Sequence, residues 1–289
     1  MSTQSAPSDR KVTLPMLAEK KQAGTPITML TAYDFPGARL VDAAGIDIVL
    51  VGDSLAMTVL GHPDTVSVTM DEMLHHCKAV ARGAERAFRV GDMPFMSYQS
   101  DPVTAVRNAG RFLKEGRMEA VKLEGGADIA PTIERIVRAG IPVMGHLGLT
   151  PQSVTKLGGY RVQGKSAAGA ARLLADAEAL EAAGCFAVVL EAVPAAVAAV
   201  ISGRLTIPTI GIGAGRDCGG QVLVFHDILG LFDAFVPKFV KQYATLRPAI
   251  VEALTRYRED VEARRFPDDA HSFAMPNAER ERFLKEHGP

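Results

Sequence analysis

Cysteine is scarce in this chain. Cys77, Cys185 and Cys218 are odd in number and widely spaced, and none falls in a CxxC or Cys/His zinc pattern. That argues against a disulfide framework or a zinc module and predicts three free thiols in a reducing compartment. A surplus of one charge is missing too. The 32 basic and 33 acidic residues leave a formal net charge of −1, unlike the basic balance of a dedicated nucleic-acid binder. No long apolar run is present: the longest, Phe186 to Ile201, contains Glu191 and Pro194 and falls short of the ~20 residues of a membrane helix. The polar start, Met1 to Lys11, lacks the apolar segment of a secretory leader. A Walker motif, a nucleophile elbow and a zincin helix are also absent. These absences predict a cytoplasmic protein without nucleic-acid or membrane partners, whose function rests on local constellations of side chains.

What is present is ordinary globular composition, 47% hydrophobic and 22% charged over 289 residues, enough to bury a large core unaided. One pattern repeats: a short apolar or β-branched run, a polar turn, then an Ala/Leu/Glu/Arg-rich helical stretch. The runs are Ile27–Tyr33, Ile46–Gly52, Phe88–Phe95, Ala120–Glu124, Pro142–His146, Phe186–Glu191, Thr206–Ile212 and Ala234–Phe239. Helices are predicted at Pro102–Lys114, Ala130–Arg138, Ala167–Ala182 and, as a last amphipathic element, Pro248–Arg265. Glycines at Gly45, Gly140 and Gly184 stand where a helix closes before a strand. Alternating β and α elements call for a parallel sheet with helix cover, and eight strands select a (β/α)8 TIM barrel over an open sheet. The expected organisation is a flexible N-terminus (residues 1–10), one barrel domain (11–273) and a charged C-terminal tail or surface helix (274–289).

In such a barrel the chemistry sits at the carboxyl ends of the strands. Several runs end in ionisable residues: Asp53-Ser54 after the second, Asp92 in the third, Lys122 and Glu124 in the fourth, His146 in the fifth and Glu191 in the sixth. A single such residue is commonly a helix cap. Four or five converging on one rim cannot all be caps, and a shared cation offsets the mutual repulsion of buried carboxylates. Asp53, Asp92 and Glu124 therefore read as an oxygen-rich site for Mg²⁺ or a similar hard ion, and three carboxylates without nearby cysteines or paired histidines speak against zinc.

Lys122 and Glu124 are two apart, so they share one face of their strand. Lys122 could be an ammonium that binds a substrate carboxylate, a Schiff-base amine, or simply the ion-pair partner of Glu124. Glu191 follows mostly apolar residues, so burial is expected to raise its pKa toward general-base use, unless it caps the next helix. His146, flanked by Gly145 and Gly148, is read as either structural or functional, with its glycines taken to allow close backbone approach. His75 and His76, about 100° apart on a helix, are not a chelating pair. Gly211-Ile212-Gly213-Ala214-Gly215 lacks the third glycine of the dinucleotide motif, where Arg216 stands; it is expected to admit a bulky ligand.

The chain resembles the ketopantoate hydroxymethyltransferase family. The matching blocks are Met29–Asp34, Val51–Leu55 with Met57–His62, Asp92–Phe95, Val121–Gly126, Gly145–Gln152, Gly158–Gly164, Val189–Glu191, Ile210–Gly215, Gln221–Val224, Pro237–Phe239 and His271–Phe273. They run in the family's order over roughly residues 12 to 273. Ala56 departs from the usual glycine, and Gly219 stands where an aspartate is usual.

The resemblance implies a barrel of the phosphoenolpyruvate/pyruvate type and a homo-oligomer, a decamer in the family. The implied reaction carries a one-carbon unit from 5,10-methylenetetrahydrofolate to 3-methyl-2-oxobutanoate (2-oxoisovalerate). The product is 2-dehydropantoate (ketopantoate), the first step toward pantothenate. It also implies that Asp53, Asp92 and Glu124 hold one Mg²⁺ per subunit, that Asp53, Ser54, Asp92 and Lys122 contact the oxo acid, and that Glu191 is the base. The glycine-rich loop Gly158–Gly164, with Tyr160 and Arg161, is the expected lid. Three other readings compete: a Schiff-base aldolase using Lys122, a metal-dependent lyase without folate, and a silent binding protein on the same scaffold.

Overall fold

The computed structural model describes residues 10–232 and 236–288. Among these, parallel strands close into a barrel in chain order, with the last paired to the first. The strands are β1 (Ile27–Thr31), β2 (Ile48–Val51), β3 (Phe88–Asp92), β4 (Ala120–Glu124), β5 (Val143–Gly148), β6 (Ala187–Glu191), β7 (Thr209–Ile212) and β8 (Gly220–Leu223). Helix α1 (Leu14–Gln22) precedes β1. The wall is covered by α2 (Phe35–Ala43), α3 (Met70–Gly83), α4 (Pro102–Lys114), α5 (Ala130–Arg138), α6 (Ala167–Ala182) and α7 (Ala195–Arg204). Helices α8 (Leu246–Glu262) and α9 (Asn277–His287) follow β8.

Local chemistry sets the helix starts. Thr69 and Glu72 form a reciprocal capping box at the head of α3. Asp101 accepts the Thr104 N–H at the head of α4, where Pro102 supplies the preset φ of a first helical residue. Asp34, at the end of the first apolar run, does the same for α2 through Gly37 N–H. It is a cap, as most such residues are.

Strand alternation sorts the core into two layers. Inward-facing Ile27, Met29, Ile48, Leu50, Phe88, Val90, Ala120, Met144, Ala187, Val189 and Ile210 pack together, and Val12 and Leu17 join them at the end where the strands begin. Outward-facing residues such as Val49, Val121, Leu123, Val188 and Leu190 pack against the buried faces of the helices. Cys77, Cys185 and Cys218 are free and buried.

The eighth strand is not where the sequence pattern places it. It is Gly220–Leu223, whereas Val236–Phe239 forms no strand and Ala234 and Phe235 lie outside the described residues. Neighbouring parallel strands generally need a crossover of about a dozen residues or more. Here a helix-free loop, residues 213–219, joins β7 to β8, so the expected spacing points too far along the chain. The same loop explains its glycines. Gly213, at φ +63°, leaves room for Phe239, whose Cδ1 would sit 2.7 Å from an added Cβ. Its neighbour there is the protein's own Phe239, a pocket-lining residue.

Residues 1–9 of the predicted flexible N-terminus lie outside the described residues. The last amphipathic helix is found at 246–262, and the charged tail contains α9. Neither α8 nor α9 buries a residue, and Leu254, Tyr257, Phe273 and Phe283 are all exposed. No helix among the described residues is long and apolar enough to cross a membrane.

Candidate active site

The inward rows change character as the strands approach their carboxyl ends. Phe88 and Val90 give way to Asp92, Ala120 to Lys122 and Glu124, Met144 to His146, and Ala187 and Val189 to Glu191. Register places neighbours side by side: Asp92 faces Lys122, and Glu124 faces His146. One pocket of about 440 Å³ opens at this end, lined by Asp53, Ser54, Asp92, Lys122, Glu124 and Glu191 among others. These six and His146, the rim residues singled out from the sequence, thus meet in a single cavity.

The polar contacts form a connected chain. Lys122 Nζ lies 2.8 Å from Asp92 Oδ1 and 3.9 Å from Glu124 Oε1, so its main carboxylate partner is Asp92, not Glu124. Nζ is also 3.2 Å from His146 Nδ1. His146 lies 3.3 Å from Glu124 Oε1 through Nδ1 and 3.2 Å from Glu191 Oε2 through Nε2. His146 is therefore a direct neighbour of the base candidate. Its flanking glycines serve the fold: an added Cβ at Gly145 would meet Leu180 of α6 at 2.7 Å, and one at Gly148 the Glu191 carbonyl at 2.2 Å. Glu191 is less sealed than its apolar run suggests, with 16% of its side chain exposed.

Charge and burial pull these groups in different directions. Burial, reinforced by Asp92 and Glu124, holds the Asp53 carboxyl well above the usual range. Burial raises Asp92 as well, against the pull of Lys122. Burial also acts on Glu124, but His146 and Lys122 outweigh it and keep this carboxyl low. Lys122 is desolvated too, yet Asp92, Glu124 and Asp53 together raise its pKa, so it is a firm ammonium. A Schiff-base nucleophile needs the free amine, and this environment opposes it. His146, despite burial and Lys122, is lifted to about 9 by the neighbouring Glu124 and Glu191 carboxylates.

Gln152 is the residue that sequence reasoning left unassigned. Its side-chain Nε2 donates to Asp53 Oδ2 and to the Met93 carbonyl, both at 2.9 Å, and its backbone N–H donates to Glu124 Oε2 at 3.0 Å. Tyr98 donates its hydroxyl to Gln152 Oε1 at 2.8 Å and accepts the Glu124 N–H at 3.0 Å. A glutamine closing a Gly-His-Leu-Gly-Leu-Thr-Pro run was visible in the sequence, but nothing local marked it as an anchor for two distant carboxylates. Tyr33 was likewise passed over; its hydroxyl is 2.8 Å from Ser54 Oγ, and burial pushes its pKa up to about 12.

The carboxylates share a common design. Asp53 Oδ2, Asp92 Oδ2 and Glu124 Oε2 each accept one protein hydrogen bond. Asp92 Oδ1 and Glu124 Oε1 are buried without a hydrogen-bond partner. Among the described residues no three acidic, imidazole or thiol groups form a preformed cage; the Lys122 ammonium occupies the space beside Asp92. The donor set is all-oxygen apart from one imidazole, and it fits a hard divalent ion retaining water better than zinc.

At the mouth, Tyr160, Arg161 and Val162 line the pocket, and Gln163 N–H donates to the Ala192 carbonyl at 3.0 Å. The Gly158–Gly164 loop thus lies where a lid must lie. Ala56 is fully buried in the core, and Gly219 sits at the start of β8, where an added Cβ would meet nothing closer than 3.4 Å.

A closed (β/α)8 barrel with an acidic, lysine-bearing rim defines a class. The fold matches the phosphonopyruvate hydrolase solved in complex with oxalate and Mg²⁺, with a TM-score of 0.56 and 14% identity over 94% of this chain and 98% of that one. It also matches 2,3-dimethylmalate lyase, a member of the PEP mutase/isocitrate lyase superfamily, with a TM-score of 0.54 and 16% identity over 94% and 95%. Within that class the assignment is definite: residues 11–269 match the ketopantoate hydroxymethyltransferase family, and the chain belongs to it. It is 60% identical over 263 residues to the 3-methyl-2-oxobutanoate hydroxymethyltransferase of Moorella thermoacetica, covering 91% of this chain and 98% of that one. The enzyme of the same name from Oleidesulfovibrio alaskensis is 60% identical over 257 residues, 89% of each chain. The chain is accordingly an enzyme, a one-carbon transferase.

Proposed function

We propose that the enzyme transfers a hydroxymethyl group from 5,10-methylenetetrahydrofolate to 3-methyl-2-oxobutanoate, giving 2-dehydropantoate, the first step toward pantothenate. The observation that carries this reading is the meeting of Asp53, Asp92, Glu124, Lys122 and Glu191 in one pocket. Asp53, Asp92 and Glu124 would hold one Mg²⁺ per subunit, directly or through water, and the ion supplies Lewis-acid stabilisation of charge developing on the keto oxygen. The Lys122 ammonium binds the oxo acid's carboxylate, and Asp53, Ser54 and Asp92 complete its seat. Ser54 is oriented by Tyr33. Glu191 removes the proton from C3, and His146, 3.2 Å from it, holds the carboxylate in place by charge. The resulting carbanion equivalent bonds to the one-carbon unit of the folate, and one water then replaces the folate nitrogen on that carbon, giving the product's CH2OH and free tetrahydrofolate. The Tyr160–Arg161 loop keeps bulk water from hydrolysing the activated donor before the carbon–carbon bond forms.

Homo-oligomerisation belongs to the same proposal, a decamer following from the family. The apolar side chains that α8 and α9 leave exposed support it, since such surface usually meets a partner. A cytoplasmic location suits a small-molecule enzyme with free thiols. The decisive assay supplies both substrates with Mg²⁺ and then with a chelator. Ketopantoate should form only in the first case and only with the folate present. Product without folate supports a lyase. Full activity in chelator, with a borohydride-trapped adduct on Lys122, supports an aldolase.

A further inference from the structure

The pocket contains a carboxylate that the chemistry above leaves unused. Asp227 lies in the short helical turn Phe225–Ile228 just after β8. In a closed ring of this order β8 stands opposite β4, the strand that carries Lys122 and Glu124. Asp227 lines the cavity and is only 9% exposed. Its carboxylate has no hydrogen bond or ion pair among the described residues, and burial alone pushes it up to about 6, leaving it ionised at neutral pH. Burying a carboxylate without a partner is costly, and such a group facing a cleft is poised for a ligand.

The surroundings specify that ligand. The pocket that Asp227 lines has apolar walls at Val224, Phe232, Pro237 and Phe239, and its cations besides Lys122 are Lys238 and Arg161. A cavity of about 440 Å³ falls in the roughly 300–1,000 Å³ range of sites that enclose drug-sized molecules, far more than a branched oxo acid fills. A 2-amino-4-oxopteridine offers two parallel N–H donors on one edge, N3–H and the 2-amino group, which match the two oxygens of a carboxylate. Its flat faces suit apolar walls, and the glutamyl carboxylates at its far end suit Lys238 and Arg161.

We infer that Asp227 is the pterin-recognition residue, accepting N3–H and the 2-amino group of the folate while Phe232 and Phe239 border the ring. The inference rests on the proposal that a folate is the one-carbon donor. It also accounts for geometry across the pocket. The N5 corner, which carries the one-carbon unit, lies on the opposite side of the bicycle from the edge held by Asp227. Anchoring that edge beside β8 turns N5 toward the oxo acid on the β4–β6 side.

The test is equilibrium binding of tetrahydrofolate, which lacks the methylene and cannot turn over, measured anaerobically by calorimetry. Asp227→Asn places an N–H against a ligand N–H and should weaken binding at least ~30-fold, the scale of a lost charged hydrogen-bond pair; Asp227→Glu should recover part of it. A second measurement needs no variant. Wild-type enzyme should prefer 6-methyltetrahydropterin at least ~10-fold over 6-methyltetrahydrolumazine, whose 2-oxo group presents an acceptor to the carboxylate. Wild-type affinity in folded Asp227→Asn, or no pterin preference, overturns the assignment of Asp227 while leaving the folate donor standing. Failure of the wild-type enzyme to bind tetrahydrofolate at all overturns both.

Discussion

Glu191 and Asp53 are both acidic residues of one pocket, yet their environments give them opposite duties. Glu191 keeps some contact with solvent and lies 3.2 Å from the His146 imidazole, which fixes where its carboxylate points. Replacing it with glutamine keeps size and hydrogen bonding but removes the base. Turnover should fall by at least ~100-fold, the usual scale for a general base, with the oxo acid still bound; near-normal turnover in a steady-state assay removes Glu191 from the mechanism. Asp53 is buried beside two like charges, an arrangement that costs stability in return for a site. Asp53→Asn keeps an acceptor for Gln152 and relieves that repulsion. In chelator the variant should melt ~2–4 °C higher, about 1 kcal/mol of stabilisation. The sign follows from the raised carboxyl: the penalty builds from the pH at which an unfolded aspartate ionises up through Asp53's folded pKa, so the gain is full above that pKa and vanishes in acid. Added Mg²⁺ should no longer raise the melting temperature of this variant. A lower melting temperature in chelator contradicts the account of Asp53.

Strand ends are where sequence periodicity and chemistry meet. β4, α4, α5 and α6 coincide with the stretches read from the sequence, because their patterns are uninterrupted and their ends are marked by caps and glycines. β8 escaped because it is four residues long, contains Gly220, and follows β7 without an intervening helix. The joint between β5 and β6 shows how an element positions Glu191. Gly148 has φ +95°, and its missing Cβ leaves space for the Glu191 carbonyl, whereas Gly158 has φ +70° with nothing within 4 Å. Gly158→Ala should therefore cost only the ~1–2 kcal/mol of a left-handed residue. Gly148→Ala must add a backbone collision, so a clearly larger loss is expected, with turnover falling as Glu191 is displaced. Equal melting temperatures for the two variants contradict this reading.

For the whole molecule, the barrel was legible from alternation and strand count, and the rim from ionisable residues ending apolar runs. What the sequence could not reveal was which of them touch. Asp92, not Glu124, is the near partner of Lys122, because β3 and β4 are aligned with Asp92 opposite Lys122. Gln152 escaped because its role depends on reaching Asp53, 99 positions away. The C-terminal helices add a feature at this scale, apolar side chains that the described residues leave uncovered. The claim on which the chemistry depends is that carboxylates from separate strands gather one hard cation. Manganese binding followed by electron paramagnetic resonance, with the oxo acid present, measures it directly. One Mn²⁺ per chain in the wild-type enzyme, displaced by Mg²⁺ and lost in Glu124→Gln and Asp53→Asn, is the predicted result. Undiminished Mn²⁺ binding in both variants would contradict the account.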